Sequence, residues 1–358
     1  HALGGTPVML PNGEAHHRAV DLVDALRLVL SHHALCAHGP EHPLERTETL
    51  DPADRDVCDD PYDVADATYP GQRGASDLGD VLHAATNPQR TRPFAIEPVM
   101  AAVADRDAPQ LRRWEEATGA SGAHVWDTRV DGWPVSLIGI DARPRLVDDR
   151  WEAAGTLYPE ASRKVARALN HASGRRPAVV LANLAGFDGS RESLMGRQLE
   201  FGAELARSVV NFRGPLVVVV IGRFHGGAYV VLNRRLNPEL RIVALEGTRV
   251  SVIGGTAAAE VVLRRRVSEV LVRDGGDPDD PAAHRAAVAE VAAEFDSTHD
   301  VHRAAAVGSV DRVIAPEELR PVVSSLIAPQ ECAPRAVEPA PVRTNRVRPH
   351  AGRSAAHA

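Results

Sequence analysis

The first chemistry the chain suggests lies in ten residues, RFHGGAYVVL, from Arg223 to Leu232. They follow the apolar run PLVVVVIG and lead into an apolar segment of helical character. Two glycines at a helix start leave main-chain N–H groups without intrahelical acceptors and without a Cβ to hold a ligand away. The acceptor that suits such donors is an oxygen that gains negative charge during a reaction. The same order of strand, small residues and helix is read in NLAGFDGSRES and SVIGGTAAAEV, and weakly in VGSVDRV. Two such elbows facing each other would make an oxyanion hole. Each glycine pair is equally explained by a tight turn and close helix–strand packing.

Other chemistries lack their residues. No GxxxxGK[ST] or GxGxxG motif follows a strand. Cys36, Cys58 and Cys332 are far apart and form no CxxC pair, so no metal is expected. The formal net charge is -7, and Lys164 is the one lysine among 41 basic residues, which argues against nucleic acid as a partner. The longest apolar run, Leu216–Ile221, is too short to span a membrane, and HALGGTPVML has no signal-peptide pattern. With so few cysteines, a cytoplasmic setting is expected.

The elements that must position these elbows are legible as an alternation. GWPVSLIGIDAR, RPAVVLANLAGF, PLVVVVIGRF and RIVALEGTRVSVIGG read as buried strands rich in Val and Ile. Between them, PEASRKVARALNHAS, ESLMGRQLEFGAELARSVV and TAAAEVVLRRRV read as helices. In the second of these, Met195, Leu199, Ala203, Ala206 and Val210 fall on one face, and Arg197, Glu200, Glu204 and Arg207 on another. An amphipathic helix is expected around Val20, Val23, Leu26 and Leu30. DPDDPAAHRAAVAEVAAEF reads as a helix led by Asp, and VGSVDRVIAPEELRPVVSSLI as turn, short strand and closing helix. The class is α/β with covered parallel strands.

NLAGFDGSRESLMGRQLEFGAELARSVVNFRGPLVVVVIGRFHGGAYVVL resembles the C-terminal crotonase-like half of biotin-dependent acyl-CoA carboxyltransferases, of the acetyl- and propionyl-CoA carboxylase type. LGGTPVMLPNGEAHHRAVDLVDALRLVLSHH, DPADRDVCDDPYDV and AVGSVDRVIAPEELR are similar to flanking segments of that family, in order, over about residues 3 to 328. The resemblance implies a crotonase-like spiral of ββα units. It divides the chain into 1–36, the end of a truncated N-terminal crotonase-like half; 37–90, a crossing segment; 91–328, the C-terminal carboxyltransferase domain; and 329–358, a disordered tail or linker.

The implied reaction moves CO2 from carboxybiotin on a carrier protein to the α-carbon of an acyl-CoA. By position, the N–H groups of Gly227 and Ala228 would stabilise the biotin ureido oxygen, with Gly186, Phe187, His225 and Gly226 lining the biotin pocket. Arg143 would pair with the substrate carboxylate, or is a solvated strand-end arginine. His16 and His17 would line the biotin cleft, and a packed or exposed His225 is the plainer reading. The partners implied are biotin carboxyl carrier protein, biotin carboxylase, the missing N-terminal half and further copies of the chain. Two other readings stand beside this one: a biotin-dependent acyl-CoA decarboxylase subunit, and a non-catalytic crotonase-fold assembly module. A simple enoyl-CoA hydratase fits less well, because no glutamate pair stands at the elbows.

Overall fold

The computed structural model describes residues 4–37, 43–62, 75–88, 90, 92–147, 149–277 and 279–328. The proposed tail and part of the crossing segment lie outside the described residues.

Twelve strands are present among the described residues: β1 (Leu111–Arg112), β2 (Ala123–Val130), β3 (Trp133–Ile140), β4 (Arg145–Val147), β5 (Arg150–Glu152), β6 (Thr156–Leu157), β7 (Ala178–Leu184), β8 (Gly186–Phe187), β9 (Leu216–Phe224), β10 (Leu240–Leu245), β11 (Arg249–Val250) and β12 (Arg312–Ile314). The main sheet runs β1-β2-β3-β7-β9-β10-β12, with β11 beside β9. The first three strands are antiparallel; β3, β7, β9, β10 and β12 are parallel. The β2–β3 turn is Asp131-Gly132, both at positive φ (51° and 74°), as a two-residue hairpin with right-handed strands requires.

The Val-rich strands are apolar at nearly every position because both sheet faces are covered. In β7 and β9, Val180, Ala182, Val218 and Val220 face one core, with the helices Pro159–Ala172 and Gln198–Asn211. The alternate residues Val179, Leu181, Val217 and Val219 face the other, with the helices Ile96–Val103 and Leu319–Ile327. Full burial of such side chains contributes about 1.5–3 kcal/mol each.

Three expectations need correction. ESLMGRQLEFGAELARSVV is two helices: Met195, exposed, ends Arg191–Met195, and Gln198–Asn211 buries Gln198, Gly202, Leu205, Ser208 and Val209 and leaves Leu199 and Val210 exposed. Its start is set by Arg197, at φ 68°, which breaks the phase assumed from Met195 onward. VGSVDRV is no strand-to-helix elbow: Gly308, at φ 75°, follows the helix Val301–Ala306 and leads into β12. TAAAEVVLRRRV is not one helix, because a π-helical turn, Ala258–Val262, separates Gly255–Ala257 from Arg264–Arg273. The closing strand and helix, and the Asp-led helix Pro281–Ser297 with Asp280 accepting from the N–H of Ala282 and Ala283, are as read from sequence.

Candidate active site

Parallel β7 and β9 end side by side, so the loops that follow them meet. A register shift between Ala182 and Leu184 brings Leu184 opposite Phe224, and His225 N–H then donates to Leu184 O at 2.9 Å. From this point Gly186 (φ 139°) and Gly226 (φ 62°) face each other. A Cβ on Gly226 would lie 3.2 Å from Gly186 Cα. The Phe187 ring packs between Gly202 and Gly227: a Cβ would lie 3.3 Å from its Cε2 at Gly202 and 2.7 Å at Gly227. The glycines of GGAY therefore answer two separate needs, backbone approach at Gly226 and room for a ring at Gly227.

The main-chain donors divide. Gly226 N–H is spent on Val252 O at 2.9 Å. The N–H groups of Gly227 and Ala228, in the first turn of the helix Gly226–Val231, have no backbone acceptor among the described residues. In the elbow at Gly254-Gly255, by contrast, Gly255 N–H is taken by Asp296 Oδ1 at 2.9 Å.

His225 is buried, and its Nδ1 lies 3.0 Å from Ser251 Oγ and 3.3 Å from Ser251 O. Ser251 Oγ donates to Ile253 O at 2.5 Å, so its oxygen accepts and Nδ1 carries the histidine proton. Burial, aided by the nearby Arg223 charge, lowers His225 to about 4. The ring is therefore a neutral brace between the elbows after β9 and β11, with its Nε2 side turned to Gly254.

Sequence reasoning missed Arg223. Its N–H donates to Asn183 Oδ1 at 3.0 Å and its Nη2 to Ala154 O at 3.2 Å. Its Nε is buried without a partner, and no carboxylate pairs with it among the described residues. Two buried arginines meet acids, Arg320 with Asp51 and Asp105 and Arg176 with Asp127, whereas buried Arg90, like Arg223, bonds main-chain carbonyls. The available signal was an arginine interrupting an apolar run just before the glycines.

Arg143 lies at the same end of the sheet, beyond β3. Its Nη2 is 2.9 Å from Asp141 and 3.3 Å from Glu97. Burial opposes the Asp141 charge, but hydrogen bonds from His124 and Arg143 outweigh it and hold the carboxyl below its usual range. A main-chain relay joins this corner to the elbows: Gly155 N–H donates to Asp141 O at 3.1 Å, and Ala185 N–H to Gly155 O at 2.7 Å.

His16 and His17 are not brought to the elbows. His16 packs edge-on against Trp114 and its Nδ1 is 2.8 Å from Arg113 Nη1. Arg113 also reaches His32 Nδ1 at 2.9 Å and pairs with Asp127, which Arg176 approaches to 3.1 Å. Arg176 precedes β7, so this cluster sits at the opposite end of that strand.

Beside the helix Gly226–Val231 opens a cleft of about 720 Å³, lined in part by Tyr229, Val230, Leu236, Val252 and Val307. Tyr229 is held across it by Ser309 Oγ at 2.9 Å.

Known proteins share this fold. A family model described as the carboxyl transferase domain matches residues 1–345. A mitochondrial acetyl-CoA carboxylase of Saccharomyces cerevisiae (strain RM11-1a) is 24% identical over 256 residues, 66% of this chain and 10% of that protein. The biotin-dependent 3-methylcrotonyl-coenzyme A carboxylase beta1 subunit of Mycobacterium tuberculosis is 25% identical over 322 residues, 89% of this chain and 53% of the subunit. Among solved structures, hexameric transcarboxylase 12S, with methylmalonyl-coenzyme A and methylmalonic acid bound, matches with a TM-score of 0.70 and 20% identity, covering 94% of this chain and 58% of that one. A single-chain, multi-domain long-chain acyl-CoA carboxylase matches at 0.65 and 17%, covering 91% and 27%. These likenesses bear out the crotonase-like α/β fold. The chain thus spans only part of the length of the relatives it matches.

Proposed function

The chain belongs to the carboxyl transferase domain family, and on that footing we propose that it is the biotin-side half of a biotin-dependent acyl-CoA carboxyltransferase. The observation that carries this is the pair of unclaimed N–H groups, Gly227 and Ala228, beside the Gly186–Gly226 contact. Carboxybiotin supplies the CO2 and gains negative charge on its ureido oxygen as the CO2 leaves. Two fixed donors that need no reorganisation meet such a charge at little cost. The absence of a Cβ at Gly226 and Gly186 lets the main chains meet there, and Phe187 forms an apolar wall beside the donors. Arg223, a cation without a carboxylate partner among the described residues, adds positive potential just before the elbow. Arg143, already shared by Asp141 and Glu97, would engage a substrate carboxylate by exchanging Glu97 for it.

The acyl-CoA is activated by another chain segment in this reading, supplied by the N-terminal half of the carboxyltransferase. The exposed apolar face of the helix Leu22–Ala34, with Leu22, Val23, Leu26, Val29 and Leu30, suits such a partner. A biotin carboxyl carrier protein would deliver the carboxybiotin that a biotin carboxylase forms, and further copies of the chain would cover the apolar rim of the cleft. No helix among the described residues is long and apolar enough to cross a membrane. Transfer in the carboxylation direction is the reading proposed; a decarboxylase would use the same donors.

The test is the reverse reaction. The chain, combined with the complementary half, is given free biotin and malonyl-CoA, and acetyl-CoA release is followed. Release that needs both halves is expected; none with both present would overturn the proposal.

A further inference from the structure

We infer that Cys58, His83 and Glu317 form a binding site for a zinc ion, away from the glycine elbows. The three come from separate parts of the chain. Cys58 lies in the crossing segment, His83 caps the helix Gly79–Leu82, and Glu317 lies in the 3-10 turn Pro316–Glu318 after β12. One ligand atom from each lies within 4.8 Å of the others, and His83 Nε2 is 3.5 Å from Glu317 Oε1. Thiolate, imidazole and carboxylate are the donors zinc takes, and a water would complete a tetrahedron. Bond lengths of about 2.0–2.3 Å put ligand atoms roughly 3.3–3.8 Å apart. A contraction of up to about 1.5 Å is needed. His83 and Glu317 are partly exposed and free to make it, whereas Cys58 is buried and fixed.

Two further observations favour a cation. The charged side chains whose fields reach the thiol most strongly, Asp56, Glu317 and Asp59, are all acidic. The packing also presents the ligands to one another. Gly79 N–H donates to Cys58 O at 3.0 Å, and a Cβ on Gly79 would lie 3.2 Å from the His83 ring. Binding replaces S–H by S–Zn and releases one proton to solvent. It would tie the crossing segment to the end of the sheet and, by mass action, raise the folded chain's stability with zinc concentration.

The probe is Co²⁺, displaced by Zn²⁺, on the full chain carrying Cys36→Ser and Cys332→Ser, which leaves Cys58 as the only thiol. One Co²⁺ per chain with a thiolate charge-transfer band, lost on Zn²⁺ addition, is expected. Glu317→Gln, at a partly exposed position that folding does not need, should weaken binding by about 10-fold or more, as should His83→Gln. Circular dichroism verifies the fold of each variant. Absence of the band, or Glu317→Gln binding Co²⁺ as tightly as its parent, overturns the site.

Discussion

At the scale of single residues, each atom of the elbow has a separable job. Ala228→Pro deletes one N–H in the first helical turn, where proline is tolerated. Turnover in the two-half assay should fall about 10²–10³-fold with the circular dichroism spectrum unchanged. Unaltered turnover would remove Ala228 from the donor pair. Gly227→Ala acts on packing instead, because its Cβ runs into Phe187. A loss of about 1–3 kcal/mol in urea unfolding is expected, relieved when Phe187→Leu is added. Additive losses would mean that the ring is not what the glycine makes room for. Arg223→Met separates charge from structure. It removes a half-buried cation that no carboxylate among the described residues pairs with, so stability should hold or rise while turnover falls about 10- to 100-fold. Turnover that stays level would make Arg223 a structural strap for Ala154. The glycines were legible from sequence because few residues tolerate such positions. Which of their N–H groups remain unclaimed was not, since Gly226 spends its own on Val252, a partner that only the tertiary fold supplies.

At the scale of elements, the strands were legible because β7 and β9 are apolar at nearly every position, Asn183 and Arg223 excepted, which follows from cover on both faces. The helices were less so. A helix whose buried stripe includes Gln198, Gly202 and Ser208 hides small and polar residues and shows Leu199 and Val210, so hydrophobicity pointed to the wrong face. The arm that carries the helix Leu22–Ala34 is held by polar contacts. Arg113 bonds His16 and His32, and Arg129 Nη2 donates to Ala34 O at 2.7 Å. Burial, followed by the Arg113 charge, lowers His16 and His32 to about 4 and His171 to about 3, from 6.5 in an unfolded chain. Between these values the unfolded chain binds protons that the folded chain does not, so stability rises with pH across that window and levels off above it. The urea midpoint should therefore drop as pH falls from about 7 to about 4.5, and less so in a His16→Gln, His32→Gln chain. A midpoint that both chains share at every pH would show that these histidines are not neutral in the folded state.

At the scale of the whole molecule, apolar surface is distributed unevenly. Leu22, Leu26 and Leu30 on one helix, and Val230, Val252, Val261 and Val262 near the elbows, are all more than half exposed. A monomer seldom shows such patches unless something covers them. Leu26→Glu with Leu30→Glu should leave the unfolding midpoint of the isolated chain unchanged and abolish co-purification with the complementary half. Retained co-purification would place the junction elsewhere. None of this was legible in the periodicity, which marks an apolar face without saying whether a core or a partner receives it. One feature constrains what any such assembly can select. Gly155, at φ 68°, bonds Asp141 O on one side and Ala185 N–H on the other, and a Cβ on it would lie 2.5 Å from Asn183 O. The corner that holds Arg143 and the elbow that holds Gly186 are thus riveted at a set spacing, like the jaws of a locked caliper. Under the proposed function, a longer acyl chain would not be admitted by spreading those jaws, and discrimination by chain length would fall to whatever closes the cleft.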